Sequence, residues 1–214
     1  MTRIAVKAPE RILAPFDPRS VDQVRHLIRM HQAYRIEELE RTRRLALGAA
    51  VADSFDTFLV RHNGQTAGFC SVDLRLAAIE LVYIAPAHRR QGLARRVFAE
   101  LASTYPQQLR GKGPVTPAMR PLLDDIGLEV PWNNGTEARQ ARQLDEVERR
   151  FSKLCPHKQA GAAVPCPSCY RKGAAATSEG DILLHVAEQA GPAVARTMQQ
   201  TMRRKSAAHR KGKP

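Results

Sequence analysis

The chain has 214 residues, enough for one moderate domain with an appendage or two small ones, and 43% of them are hydrophobic although only 5% are aromatic. With 34 Lys and Arg against 21 Asp and Glu the net charge is +13, which implies attraction to polyanions such as nucleic acid and says little about fold. No run approaches the ~18 apolar residues of a membrane span, Met1 to Lys7 lack a signal-peptide stretch, and four cysteines, three of them clustered, do not make a secreted disulfide framework. The expectation is a soluble, cytoplasmic protein with no membrane partner.

In chain order, residues 1–18 are Pro-containing and irregular. Ser20 suits an N-cap, and Val21, Val24, Leu27 and Ile28 recur at helical spacing with His31 extending their face, which predicts a first helix. A second helix is expected from Ile36 to Leu47, with Arg41, Arg43 and Arg44 on its polar side. Phe55–Val60 and Ala67–Leu74 read as strands joined through Asn63-Gly64, a pair that tolerates the positive φ of a two-residue hairpin turn. Leu76–Ile84 is a third, apolar strand. Leu93–Tyr105 reads as a helix with Val97, Phe98 and Leu101 on one face. A strand at Pro114–Val115, a short helix through Ile126 and a strand at Leu128–Val130 follow.

After Pro131-Trp132-Asn133-Asn134-Gly135 the character changes. Thr136–Leu154 is charged and helix-compatible, a Cys/His knot spans 155–169, and 173–180 reads as an Ala/Gly-rich linker. Ser178-Glu179-Gly180-Asp181 has the form of a cap for an amphipathic helix from Ile182 to Arg204, interrupted at Gly191-Pro192. The expected organisation is one domain over 1–135, a charged helix with the Cys/His segment over 136–177, and a helix with a basic tail over 178–214.

Arg89-Arg90-Gln91-Gly92-Leu93-Ala94 stands between the third strand and the helix that follows. A loop in that position leaves backbone N–H groups at a helix N-terminus without partners, and the helix dipole adds to their pull on an anion. Arg89 and Arg90 bring positive charge, and Gly92 lets the backbone approach a ligand closely. The arrangement suggests a diphosphate cradle. The spacing Arg89-x-x-Gly92-x-Ala94, with Ile84-Ala85-Pro86-Ala87-His88 ahead of it, resembles the Gln/Arg-x-x-Gly-x-Gly/Ala motif of the GCN5-related N-acetyltransferases (GNAT). The resemblance covers roughly residues 10 to 130, and the element order agrees with it. It implies an α/β (α+β) fold: a mixed, largely antiparallel central sheet flanked by helices, here with a helical, zinc-knuckle-like C-terminal extension.

The resemblance further implies that Ile84, Arg89, Arg90, Gln91, Gly92, Leu93 and Ala94 bind acetyl-CoA, the co-substrate. Backbone around Tyr83, Ile84 and Ala85 would pair with the pantetheine arm, and a backbone N–H there would receive the oxyanion. Glu80 heads the apolar strand much as the general base does in lysine-modifying members, and apolar surroundings would raise its pKa toward neutrality. An outward, merely solvating Glu80 is the alternative. The family's general acid is a Tyr in a Leu-Tyr-Glu-x-x-Gly-Phe frame, which here reads Leu122-Leu123-Asp124-Asp125-Ile126-Gly127-Leu128. Leu123 has no proton to give. The leaving thiolate would then draw on water, Tyr83 or Tyr105.

Cys155-Pro156-His157 and Cys166-Pro167-Ser168-Cys169 supply four ligands for a tetrahedral zinc, the second half having the form of a zinc-ribbon knuckle. Lys158 stands where a second knuckle cysteine would be, so His157 would ligate from one residue earlier. A degenerate ribbon or a free-thiol loop is the other reading. Cys70 reads as a small core residue. Residues 137–214 carry 15 Lys and Arg against 7 Asp and Glu, and the final stretch holds Arg203, Arg204, Lys205, Arg210, Lys211 and Lys213. That is either a solvated tail or a contact for nucleic acid. The leading expectation is an acetyl-CoA-dependent N-acetyltransferase with a primary-amine acceptor. The runner-up is a nucleic-acid-binding or nucleic-acid-modifying protein on the same scaffold.

Overall fold

The computed structural model describes residues 11–42, 44–46, 48–105, 107, 109–112, 119–130, 141–142, 144–146, 148–150, 155–157 and 166–211. Helix α1 (Val21–Thr42) begins at the expected cap, with Gln23 N donating to Ser20 Oγ at 3.4 Å. It differs from expectation in its length. Two helices were expected with a break between His31 and Ile36, yet Gln32, Ala33, Tyr34 and Arg35 hold no breaker and the helix runs through them. Val24, Leu27, Ile28 and His31 are buried along its first part and Leu39 near its end.

The sheet has five strands in sequence order: β1 (Leu13–Pro15), β2 (Phe55–His62), β3 (Gln65–Asp73), β4 (Ala78–Ile84) and β5 (Arg110–Gly111). The first three pairings are antiparallel and β4–β5 is parallel, so the architecture is the expected mixed, largely antiparallel sheet flanked by helices. The β2–β3 hairpin turns through Asn63 and Gly64, both at positive φ (49° and 74°), which matches the twist of the flanking strands. Strand β1 falls in a segment expected to be irregular. It is three residues at the sheet edge, where Pro15 leaves no ladder donor unsatisfied, and the Glu100 carboxylate accepts from Ile12 N and Leu13 N at 2.9 and 3.2 Å.

Each face of the sheet carries a helical layer. On one side Phe58, Val60, Cys70, Val72 and Ile79 pack against Leu93, Val97, Phe98 and Leu101 of α2 (Leu93–Thr104), with Leu123 of α3 (Arg120–Asp125). Cys70 is thus the core residue expected. On the other side Leu59, Phe69 and Tyr83 meet α1, together with Ile182, Leu183 and Val186 of α4 (Pro167–Ala190) and Ala195 and Met198 of α5 (Pro192–Lys211).

Residues 173–180, expected as a linker with a cap at Ser178, lie inside α4. Ala174, Ala175 and Ala176 are the strongest helix formers, and Ala174 is buried against Leu39, Leu45 and Tyr170. The interruption at Gly191-Pro192 is where it was expected, between α4 and α5. Leu128–Val130, expected as a strand, is not one; its link to β5 is Gly111 N to Glu129 O at 2.8 Å. The strand expected at Pro114–Val115 lies outside the described residues, as do residues 136–140 and 151–154 of the charged helix; 141–142, 144–146 and 148–150 are helical. Among the described residues no helix is long and apolar enough to cross a membrane.

Candidate functional site

Two breaks in regularity sit on β4. Opposite it, Ser71 pairs with Leu81 and Val72 with Ile79, so Glu80 has no partner and forms a bulge. The extra residue resets the alternation of side chains: Ile79, Val82 and Ile84 face α2, whereas Leu81 and Tyr83 face α1. The other break is on the far edge. β5 pairs with β4 only at Ala78 and Ile79, a final bond running from Lys112 N to Ile79 O at 3.1 Å. Among the described residues no strand covers β4 from Glu80 to Ile84 on that side.

The loop beyond β4 starts with a single 3₁₀ turn (Pro86–His88) and bends through Arg90 and Gly92, at φ of 63° and 73°. Gly92 is the N-cap of α2 and offers no side-chain cap, the first turn holds no acid, and the first intrahelical bond is Arg96 N to Gly92 O. The N–H groups of Leu93, Ala94 and Arg95 lie ahead of that bond. A Cβ on Gly92 would meet no atom within 4 Å. Arg90, Gln91 and Gly92 are exposed, while Leu93 is buried and anchors the helix start. Gln91 Nε2 donates back to Ala87 O at 3.3 Å.

Arg89 is engaged within the protein. Its Nη2 donates to Glu37 Oε2 at 2.7 Å, its Nη1 pairs with Glu37 Oε1 at 2.6 Å, its Nε donates to Ile84 O at 2.8 Å, and its guanidinium lies 5.8 Å from the centre of the Tyr83 ring. Tyr83 is buried and donates to Glu37 Oε2 at 3.3 Å. Burial first, and the Glu37 charge second, push its hydroxyl up to about 12. Beside it Tyr34 and His31 line the α1 side. His31 Nε2 meets Gly48 O at 3.0 Å, and burial lowers its pKa to about 4, with Arg35 adding to the effect.

The Glu80 side chain is 9% exposed and carries an ion pair with Lys112 Nζ. It points neither freely outward nor into an empty pocket. Leu123 is buried in the core beside α2. Tyr105 donates to Asp56 Oδ2 at 2.6 Å, and burial first, with this hydrogen bond second, raises its pKa. Glu37 and Lys112 were not singled out in the sequence. The available signal for Glu37 was its place one helical turn after Tyr34, visible only once α1 is continuous.

At the start of α4 the four expected metal-ligating residues come together. The ligand atoms of Cys155, His157, Cys166 and Cys169 all lie within 4.8 Å of one another. His157 Nδ1 is 3.5 Å from Cys169 Sγ and 3.9 Å from Cys166 Sγ. Backbone N–H groups of Cys166 and Cys169 point at Cys155 Sγ and Cys166 Sγ at 3.4 and 3.5 Å, and the first of these pulls Cys155 toward its thiolate. Lys158 lies outside the described residues. The side chains of residues 205–211 are likewise outside them.

No curated protein and no solved structure matches the chain. Residues 22–113, from α1 through β5, match the model of the acetyltransferase (GNAT) family, which supports an acetyltransferase activity in general.

Proposed function

We propose that the protein is an acetyl-CoA-dependent N-acetyltransferase whose acceptor is a primary amine. The observation that carries this reading is the uncapped N-terminus of α2, opened by Gly92 directly after β4 and beside the edge that β5 leaves uncovered. The N–H groups of Leu93, Ala94 and Arg95 bind the diphosphate, with Arg90 and Gln91 at the rim. Arg89 serves chiefly to fix the loop to α1 and to Ile84, since its donors are already taken. Acetyl-CoA supplies the thioester that the amine attacks. Backbone of β4 along Ile84 to Val82 binds the arm. From Ile84 to Glu80 is four residues, at most about 13 Å at 3.3 Å each, which separates the base at the bulge from the loop.

Glu80 takes the ammonium proton from the acceptor, in a setting whose low exposure favours the exchange of one cation for another at its carboxylate. Tyr83 already donates its hydroxyl proton to Glu37 Oε2, and burial, then the Glu37 charge, pushes its pKa up, which makes it a weak acid for the leaving thiolate. It walls the site and carries Arg89, and water protonates the leaving sulfur. Gly92→Glu tests the assignment. The substitution brings a carboxylate to the head of α2 and strains a cap held at φ of 73°, and retention on immobilised CoA is expected to vanish; unchanged retention would sink the site.

We also infer that Cys155, His157, Cys166 and Cys169 hold one structural zinc. Ligands at about 2.3 Å (sulfur) and about 2.0 Å (nitrogen) around a tetrahedral ion stand roughly 3.5–4 Å apart, which is the spacing His157 Nδ1 keeps from its two sulfurs. Four protein ligands leave no open position, so the metal would pin 155–157 to the head of α4 and take no part in transfer.

A further inference from the structure

Lys112 occupies a singular place. Among the described residues its backbone makes the last bond between β5 and β4, at the point where β4 passes beyond its described partner. Its Nζ lies on Glu80 Oε2, at the bulge, and the Lys112 side chain keeps a third of its surface exposed. A carboxylate at a bulge, a primary amine already upon it and a strand that runs from there to an anion cradle are what an amine acceptor would have to assemble. Here one chain supplies them all.

We propose that the ε-amine of Lys112 is an acetyl acceptor of the protein's own transfer site. This rests on the proposed function for the donor and for Glu80 as base. Glu80 takes a proton from the Lys112 ammonium. The nitrogen lone pair forms a bond to the thioester carbonyl carbon, and the carbon–sulfur bond breaks with its electron pair left on sulfur. The second nitrogen proton passes through water to that thiolate, and the proton on Glu80 goes to solvent. The products are Nε-acetyl-Lys112 and the free thiol. The amide carries no charge, so the pair with Glu80 ends, and Glu80 becomes available to an amine from outside. The modification therefore frees the base that performed it.

The test uses the full chain with acetyl-CoA and no added acceptor. Acetyl on the Lys112 peptide is followed by mass spectrometry, and acetyl-CoA binding is measured separately by calorimetry. Lys112 is expected to gain one acetyl group at a rate independent of protein concentration and about a hundredfold faster than in Glu80→Gln. The Gly92→Glu protein, which brings a carboxylate to the loop and strains its cap at φ of 73°, is expected to lose the gain as well, with a melting curve recorded beside it to show that it folds. A second readout is the protein as purified from cells, in which Lys112 should carry acetyl in the wild type and not in Gly92→Glu; equal occupancy in the two overturns the proposal. Bound acetyl-CoA with Lys112 unmodified, or modified equally fast in Glu80→Gln, overturns self-acetylation and leaves the donor site standing. A rate that climbs with protein concentration also overturns it, because the acetyl then passes between molecules. Failure to bind acetyl-CoA overturns this inference together with the proposed function.

Discussion

Arg89 and Glu37 meet in a two-pronged ion pair that joins the loop after β4 to the C-terminal part of α1, across 52 positions of sequence. Both side chains keep more than a third of their surface exposed (40% and 35%), so the pair contributes at most about 1 kcal/mol to stability. Its larger effect is on charge beside the cradle. Glu37→Gln is expected to cost about 1 kcal/mol or less in a denaturant titration. It should also raise acetyl-CoA affinity severalfold at low salt, because a carboxylate is lost and Arg89 is released toward the ligand. The gain should fade as added salt shortens the screening length. A drop in affinity would instead mean that Arg89 must be held for the loop to bind.

His31 makes stability depend on pH. The fold holds it neutral down to about 4, while the unfolded chain takes up the proton near 6.5. Its contribution is therefore intact above about 6.5 and is lost progressively as pH falls toward 4, by about 3 kcal/mol over that window. Unfolding free energies measured between pH 4 and 8 should fall on the acid side for the wild type, and the fall should be shallower in His31→Phe by about that amount. Parallel curves for the two proteins would refute the assignment.

Leu123 stands where the resembling family places a tyrosine, and the structure shows why the reverse substitution should not restore a general acid. The side chain is 5% exposed and packed within the α2-side core. Leu123 also borders a pocket shared with Arg120, Asp124, Leu128 and Val130, yet a tyrosine hydroxyl brought to this buried position loses its water, and Leu123→Tyr should cost about 1–3 kcal/mol. The expected result is a lower melting temperature with no rise in kcat. A faster enzyme would place that core position in the reacting site.

Metal removal has a local signature. Purified protein should contain close to one zinc per chain, and chelation should lower the melting temperature and expose three thiols to a colorimetric reagent while Cys70 stays protected by its burial. Cys166→Ser should reproduce the loss without the chelator. Metal-free protein with an unchanged melting curve would remove zinc from the account.

The hairpin was legible because Asn63-Gly64 states its turn type locally, and the loop because Gly92 and its flanking apolar runs are contiguous. What could not be read was set by distance. Lys112 reaches Glu80 over 32 positions and Arg89 reaches Glu37 over 52, and neither pairing leaves a local mark. β1 was missed for a related reason: three residues with a proline have no period of their own and become a strand only by pairing with Phe58 to Val60. The stretch 173–180 was misread because Gly and Ala look like a linker until Ala174 is seen against Leu39 and Leu45. The convergence of Cys155, His157, Cys166 and Cys169 was legible, since the ligand types and short spacings carry their own geometry.

The layer behind Tyr83 has a consequence for how the chain is made. Phe69 and Tyr83 are covered in part by Ile182, Val186, Ala195 and Met198, residues that leave the ribosome long after the sheet and the loop have done so. Until they arrive, the back of β3 and β4 is an apolar surface that, among the described residues, α1 shields together with Phe16, Ala50 and Val51. A nascent chain stalled before α4 is thus a sticky species, and the last helices act as the closing wall of a room whose furniture is already in place.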